Sequence, residues 1–208
     1  MRSASYQRFA GLCAIVGAPG GIAYSIAFTT YLKSGSVAAA KASVVLLLGG
    51  GVLATVVFVG LYERTRQVDA SFALWGVILG AAAGIGTAVH GAYDLANFAH
   101  PPVGLPPDLP NAVDPRGLMT FGITGLAVLI ASWLVLRGGS GLPARLGQLG
   151  VLSGVLLIVV YLGRLFILNP KNPALLTVAV LTGFVVNPAW LVWLGRELRR
   201  APAGGAPG

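Results

Sequence analysis

The chain has 208 residues, of which 56% are hydrophobic and only 10% are charged, and its formal net charge is +8. A soluble domain carries about 25% charged residues, so this composition excludes an ordinary soluble fold and points to apolar helices that cross a bilayer. The charge alone would suit a nucleic acid, but the basic residues stand singly or in pairs between apolar runs, not on one face with interleaved aromatics, which excludes that partner.

The apolar runs predict an all-α, polytopic membrane helical bundle: one domain over 1–200 with six transmembrane helices. The spans fall at about 9–31, 42–62, 71–98, 116–137, 145–168 and 173–195. Arg2 and Arg8 precede the first run as in a signal peptide, but the run is too long for an h-region, so an uncleaved first helix is expected. Its Cys13 is the chain's single cysteine, which excludes an internal disulfide and a cysteine metal cluster. No lipidation motif is read at either end.

"KSGS" at 33–36 reads as a turn, and "ERTRQVD" at 63–69 is the most charged segment. The third span ends in "GTAVHGAYDLANFAHPP", residues 86–102, which concentrates both histidines and one of the six acids in a few turns. A loop at 99–115 follows, with six of the thirteen prolines: Pro101, Pro102, Pro106, Pro107, Pro110 and Pro115. Such a loop is stiff and extended, and serves either as a lid or as a spacer. Later turns are "RGGSGLP" at 137–143 and "NPKNP" at 169–173. Asp114-Pro115 and Asn172-Pro173 each offer an N-cap followed by proline at the first helical position. The tail 201–208 is expected to be disordered.

With the N-terminus inside, nine basic residues lie on the inner side (Arg2, Arg8, Arg64, Arg66, Arg137, Arg145, Arg196, Arg199, Arg200) and four on the outer (Lys33, Lys41, Arg116, Lys171). That bias places both termini in the cytoplasm of a multi-pass cell-membrane protein, in a bacterial cytoplasmic membrane. Trp75, Trp133, Trp190 and Trp193 fall near inner helix ends, where the interface favours them. Three outward-going helices share a pattern: Gly17 with Tyr24, Gly86 with Tyr93, and Gly154 with Tyr161. This suggests three repeated helical hairpins. Gly17/Gly21, Gly80/Gly84 and Gly150/Gly154 have the four-residue spacing that lets helices approach closely in lipid. Pro19 and the Asn187-Pro188 pair are expected to kink the first and sixth spans.

His90, Asp94 and Asn97 follow i, i+4, i+7 and so share one helix face, with Tyr93 beside them. The fifth span carries Arg164, with Tyr161 one turn deeper. Asp94 and Arg164 each lie about 6 Å below their helix ends by the α-helical rise, so an Asp94–Arg164 pair is expected to neutralise both. An intramembrane ionisable group is a functional hypothesis by default. The candidate ligand-binding set is therefore His90, Tyr93, Asp94, Asn97, Tyr161, Arg164 and Tyr24. The competing structural reading is that the third span, about 42 Å long by its residue count, simply lifts its last turns into the headgroups.

These residues support three functions. The first is binding of a small molecule or lipid in an outward-facing polar pocket, as part of a transport system. The second is an accessory subunit of a membrane complex, with a membrane protein partner and Asp94–Arg164 as a structural ion pair. The third is a membrane enzyme using His90 and Asp94 as base and orienter, although no nucleophile motif accompanies them. No catalytic residue, metal ligand or cofactor is assigned. No lysine lies within a span to carry a retinal Schiff base, and the two histidines are too far apart for one haem. The lipid bilayer is the one partner the composition requires.

Overall fold

The computed structural model describes residues 4–100, 116–167 and 172–200, and among these the structure is helical with no strand. Six helices among the described residues are long and apolar enough to cross a membrane: α1 Ala4–Ser34, α2 Val37–Thr65, α3 Ala70–Ala99, α4 Leu118–Leu136, α5 Ala144–Phe166 and α6 Pro173–Arg199. The protein is thus an all-α six-helix bundle of the integral membrane class. Side chains that a soluble fold would bury stand exposed along single helix faces instead. Examples are Phe9, Leu12 and Val16 on α1, Ile78, Ile85 and Val89 on α3, and Leu152, Val155 and Val159 on α5. Their three-, four- and seven-residue spacing is the signature of a lipid-facing stripe.

Helix starts follow local chemistry. The Ser36 hydroxyl accepts from Ala39 N at 3.3 Å to cap α2, and the Asp69 carboxylate accepts from Phe72 N at 3.1 Å to cap α3. Asn172 accepts from Ala174 N at 3.0 Å and Leu175 N at 3.3 Å, with Pro173 at the first helical position of α6, as its sequence predicts. The Asp114-Pro115 pair, the loop prolines and the tail 201–208 lie outside the described residues. The turn between α4 and α5 needs positive φ at Gly138, Gly139 and Gly141, a conformation that glycine adopts without steric cost.

The helices form a ring in chain order, each packed on the next, and α6 returns to α1. Backbone contact at glycine sets three of these crossings. A Cβ on Gly51 would lie 2.5 Å from Gly84 O, and one on Gly91 would lie 2.6 Å from Val44 O, so α2 and α3 touch along two levels. Gly125 and Gly154 face each other's carbonyls between α4 and α5, and Gly11 and Gly195 do so between α1 and α6. The expected pairs in α3 and α5 are packing sites. The expected Gly17/Gly21 pair of α1 is not: a Cβ on Gly17 would meet only the Leu191 side chain at 3.9 Å, and one on Gly21, or on neighbouring Gly20, nothing within 4 Å.

The main core lies in the half of the bundle that bears the termini. It joins Ala10 and Ala14 of α1, Val57 and Phe58 of α2, Val128 and Val135 of α4, Leu146 of α5, and Trp190, Leu194 and Leu198 of α6. Trp190 is only 4% exposed and belongs to this core, so three tryptophans rather than four remain for the interface. Arg64, read in the sequence only as a side marker, is 2% exposed. Its Nε donates to Gln7 Oε1 at 3.0 Å, and its Nη2 donates to the carbonyls of Glu197, Leu198 and Arg200 at 3.3, 3.4 and 3.0 Å. One guanidinium therefore ties α1 and α2 to the last carbonyls at the end of α6, where the helix dipole favours a cation.

Two π-helical turns interrupt the α pattern, at Leu118–Ile123 in α4 and Leu181–Val186 in α6. The second immediately precedes Asn187-Pro188, where the proline removes a backbone donor. The sixth span, where the sequence predicts a kink at Asn187-Pro188, carries a widened turn just before that pair.

Two predictions follow from this packing. Gly195→Ala should destabilise the protein by about 1–3 kcal/mol, because its Cβ is forced onto Gly11 O. Gly20→Ala should be neutral or stabilise by up to about 1 kcal/mol through helix propensity. Unfolding titrations in mixed micelles compare the two, and equal effects would refute glycine-controlled crossing. Arg64→Ala should cost at least about 1.5–3 kcal/mol, the range for hydrogen bonds made by a charged donor. Arg64→Lys should recover only part of the loss, since lysine lacks the fork; full recovery would show that charge alone matters.

Candidate functional site

Away from the core, the bundle opens. The end opposite the termini, called distal here, holds a cavity of about 360 Å³ bounded by α1, α2, α3, α4 and α5. Helix α1 contributes Tyr24, Phe28 and Tyr31; α2 contributes Ser43, Val44 and Leu47; α3 contributes His90, Asp94, Asn97 and Phe98. Phe121 of α4 and Tyr161 and Arg164 of α5 complete most of the wall. Six of the seven residues selected from the sequence (His90, Asp94, Asn97, Tyr161, Arg164 and Tyr24) thus line one cavity on three helices. Tyr93 does not line it. It turns to the other side of Asp94, where the Arg116 guanidinium stacks 4.4 Å above its ring centroid.

The ion pair differs from the sequence expectation. Asp94 Oδ1 lies 3.2 Å from Arg116 Nη1, and among the described residues Arg164 makes no ion pair. Equal depth on parallel helices makes Asp94 and Arg164 neighbours of one cavity, but it does not bring their side chains into contact. Arg116 wins because it sits at the entry to α4, beside α3, and can stack on Tyr93 and reach Asp94 together. Cation–π contact and charge pairing therefore act on one side chain.

His90 links this pair to α4. Its Nδ1 lies 3.2 Å from the Thr120 hydroxyl, and its Nε2 is 3.6 Å from Asp94 Oδ2, beyond hydrogen-bond range. Thr120 lies in the first π turn, where the wider spacing also lets the Thr124 hydroxyl donate to Met119 O at 3.0 Å. The same turn brings Phe121 to the cavity, while Gly122 leaves room for the Tyr161 ring, 3.1 Å from where a Cβ would stand.

Arg116, Thr120, Phe121 and the α2 wall were missed from the sequence. The available signals were faint: Arg116 is the first cation after the proline-rich loop, and Ser43 is a lone hydroxyl early in an apolar run. Among the described residues, no three His, Cys, Asp or Glu side chains gather as a metal-binding group.

The fold and this cavity define a polytopic helical membrane protein with a polar distal cavity. Compared with known protein families, curated proteins and solved structures, the chain matches none.

A double-mutant cycle separates the two possible partners of Asp94. Asp94→Ala with Arg116→Ala should show a coupling of about 0.5–3 kcal/mol, whereas Asp94→Ala with Arg164→Ala should be additive within about 0.5 kcal/mol. Unfolding in mixed micelles reads both cycles. Coupling only in the second would restore the pair expected from the sequence.

Proposed function

We propose that the protein binds a small molecule or lipid in the distal cavity and serves as the substrate-binding component of a membrane transport system. The observation that carries this reading is the meeting, in one cavity of about 360 Å³, of six polar side chains chosen for their intramembrane position alone. Cavities of about 300–1,000 Å³ with mostly apolar walls and a few convergent polar groups are the usual form of ligand sites. Arg164 and the phenols of Tyr24 and Tyr161 supply donors, while Asn97 supplies both donor and acceptor.

Orientation follows from charge. The excess of arginines at the end bearing the termini favours a cytoplasmic location for that end in a cell membrane. The cavity then faces outward. The accessory-subunit reading included a structural Asp94–Arg164 pair; Asp94 pairs with Arg116 instead, and Arg164 makes no ion pair among the described residues.

Native mass spectrometry of protein released from nanodiscs tests the proposal. The wild type should carry a bound mass, lost in Arg164→Ala and in the cavity-filling Ser43→Leu, and kept in the lipid-facing control Ile85→Ala. A bare wild type, or a mass retained in all three variants, overturns it.

A further inference from the structure

We infer that the distal site takes a single-chain amphiphile with an anionic head, the head against Arg164 and the chain in an apolar cleft between α1, α5 and α6. The inference rests on the binding reading above and adds the class of ligand.

The cleft is a second cavity of about 190 Å³. An apolar cavity of about 150 Å³ already accepts a benzene-sized hydrocarbon, so several methylenes fit. Its wall is chiefly hydrocarbon, including Leu157 and Val160 of α5 and Leu175, Ala179 and Phe184 of α6. It adjoins the polar cavity directly, because Tyr24, Phe28, Phe121 and Arg164 line both. The second π turn places Thr182 and Gly183 on the cleft, just as the first places Phe121.

The cleft also meets the bilayer. Leu32, Leu176 and Val180 line it and are 40%, 38% and 47% exposed, on helices whose exposed faces are lipid-facing. A chain can therefore enter sideways while its head reaches the polar cavity. A third cavity, of about 180 Å³, touches Tyr24 too, but Val57, Phe58 and Trp190 of the closed core form part of its wall. Among the residues that line it, none of Leu32, Leu176 or Val180 appears, and the core residues close one side of it.

Charge selects the head. Asp94 is matched by Arg116, while Arg164, on the rim common to the polar cavity and the cleft, makes no ion pair among the described residues. A guanidinium near the bilayer seeks an anion, and its fork fits a carboxylate or phosphate through two parallel hydrogen bonds. A cationic head would have to take Asp94 from Arg116.

The test uses the full chain in phosphatidylcholine nanodiscs with three photoreactive probes. They share one long alkyl chain with a diazirine near its end and differ in the head: carboxylate, phosphate monoester or trimethylammonium. Cross-links are mapped by peptide mass spectrometry. At least one anionic probe should label residues 175–184 about tenfold more than the ammonium probe, a difference of about one decade in affinity. Arg164→Gln should erase that preference. Ala179→Trp, which fills the cleft without removing the arginine, should abolish the labelling. The outward faces at Val52 and Ile78 report simple partition and should be labelled alike by all three probes.

The stronger of the two anionic probes identifies the source, a fatty acid or a phosphate-headed lysolipid. Equal cleft labelling by all heads overturns the inference, as does labelling indifferent to Arg164→Gln or Ala179→Trp. A water-soluble mass that depends on Arg164 in native mass spectrometry, with no cleft labelling, would leave the binding reading standing and remove the amphiphile.

Discussion

Lipid tails are as apolar as leucine, so two helices in a bilayer gain little by hiding leucines from them. What holds this bundle is close backbone approach, and glycine alone permits it at the crossings. Gly11 against Gly195, Gly51 against Gly84, and Gly125 against Gly154 bring main chains to distances that a single methyl group would block. The cavity is a consequence of where such contacts stop. Helix α1 is held to α6 at Gly11, yet at Gly20 and Gly21 it has no close neighbour. Meanwhile α2 and α3 remain joined as far up as Gly91. The helices that separate and those that stay together leave a cup, closed by the core at one end and open at the other.

The two ends treat charge differently. Arg64 is buried and spends its donors on Gln7 and on the last carbonyls of α6, so its role is fixed by geometry. At the distal end, Arg116 is partly exposed and neutralises Asp94, while Arg164 stands on the rim of both cavities without a carboxylate among the described residues. One arginine completes the fold, one pairs with Asp94, and one lines both cavities without an ion pair among the described residues. Composition would score the three alike.

Much of the fold was legible in the sequence because a bilayer imposes simple rules. Each span must satisfy its own backbone hydrogen bonds, which requires a helix, and the hydrocarbon thickness sets its length. Residue spacing then placed His90, Asp94 and Asn97 on one face, and span direction set Tyr161 and Arg164 near the same depth. All five reach one cavity. Tyr93 was grouped with them by adjacency, but a neighbour in sequence points about 100° away around a helix, and it faces Arg116 instead.

The tertiary structure decided what spacing cannot express. Helical periodicity gives the face of one helix but not which helix lies opposite, so the choice of Arg116 over Arg164 depended on how α3 and α4 meet. The two π turns, at Leu118–Ile123 and Leu181–Val186, were likewise not read from the sequence. The roles of the glycines divided in the same way. Their number was evident at once, but only the crossings showed that Gly84 and Gly154 bind helices together while Gly21 leaves a space. Length and apolar runs therefore determined that the chain folds into six helices long and apolar enough to cross a membrane. The relative placement of those spans, a property of pairs of helices and not of any one segment, determined that they enclose a polar cavity with an apolar cleft beside it.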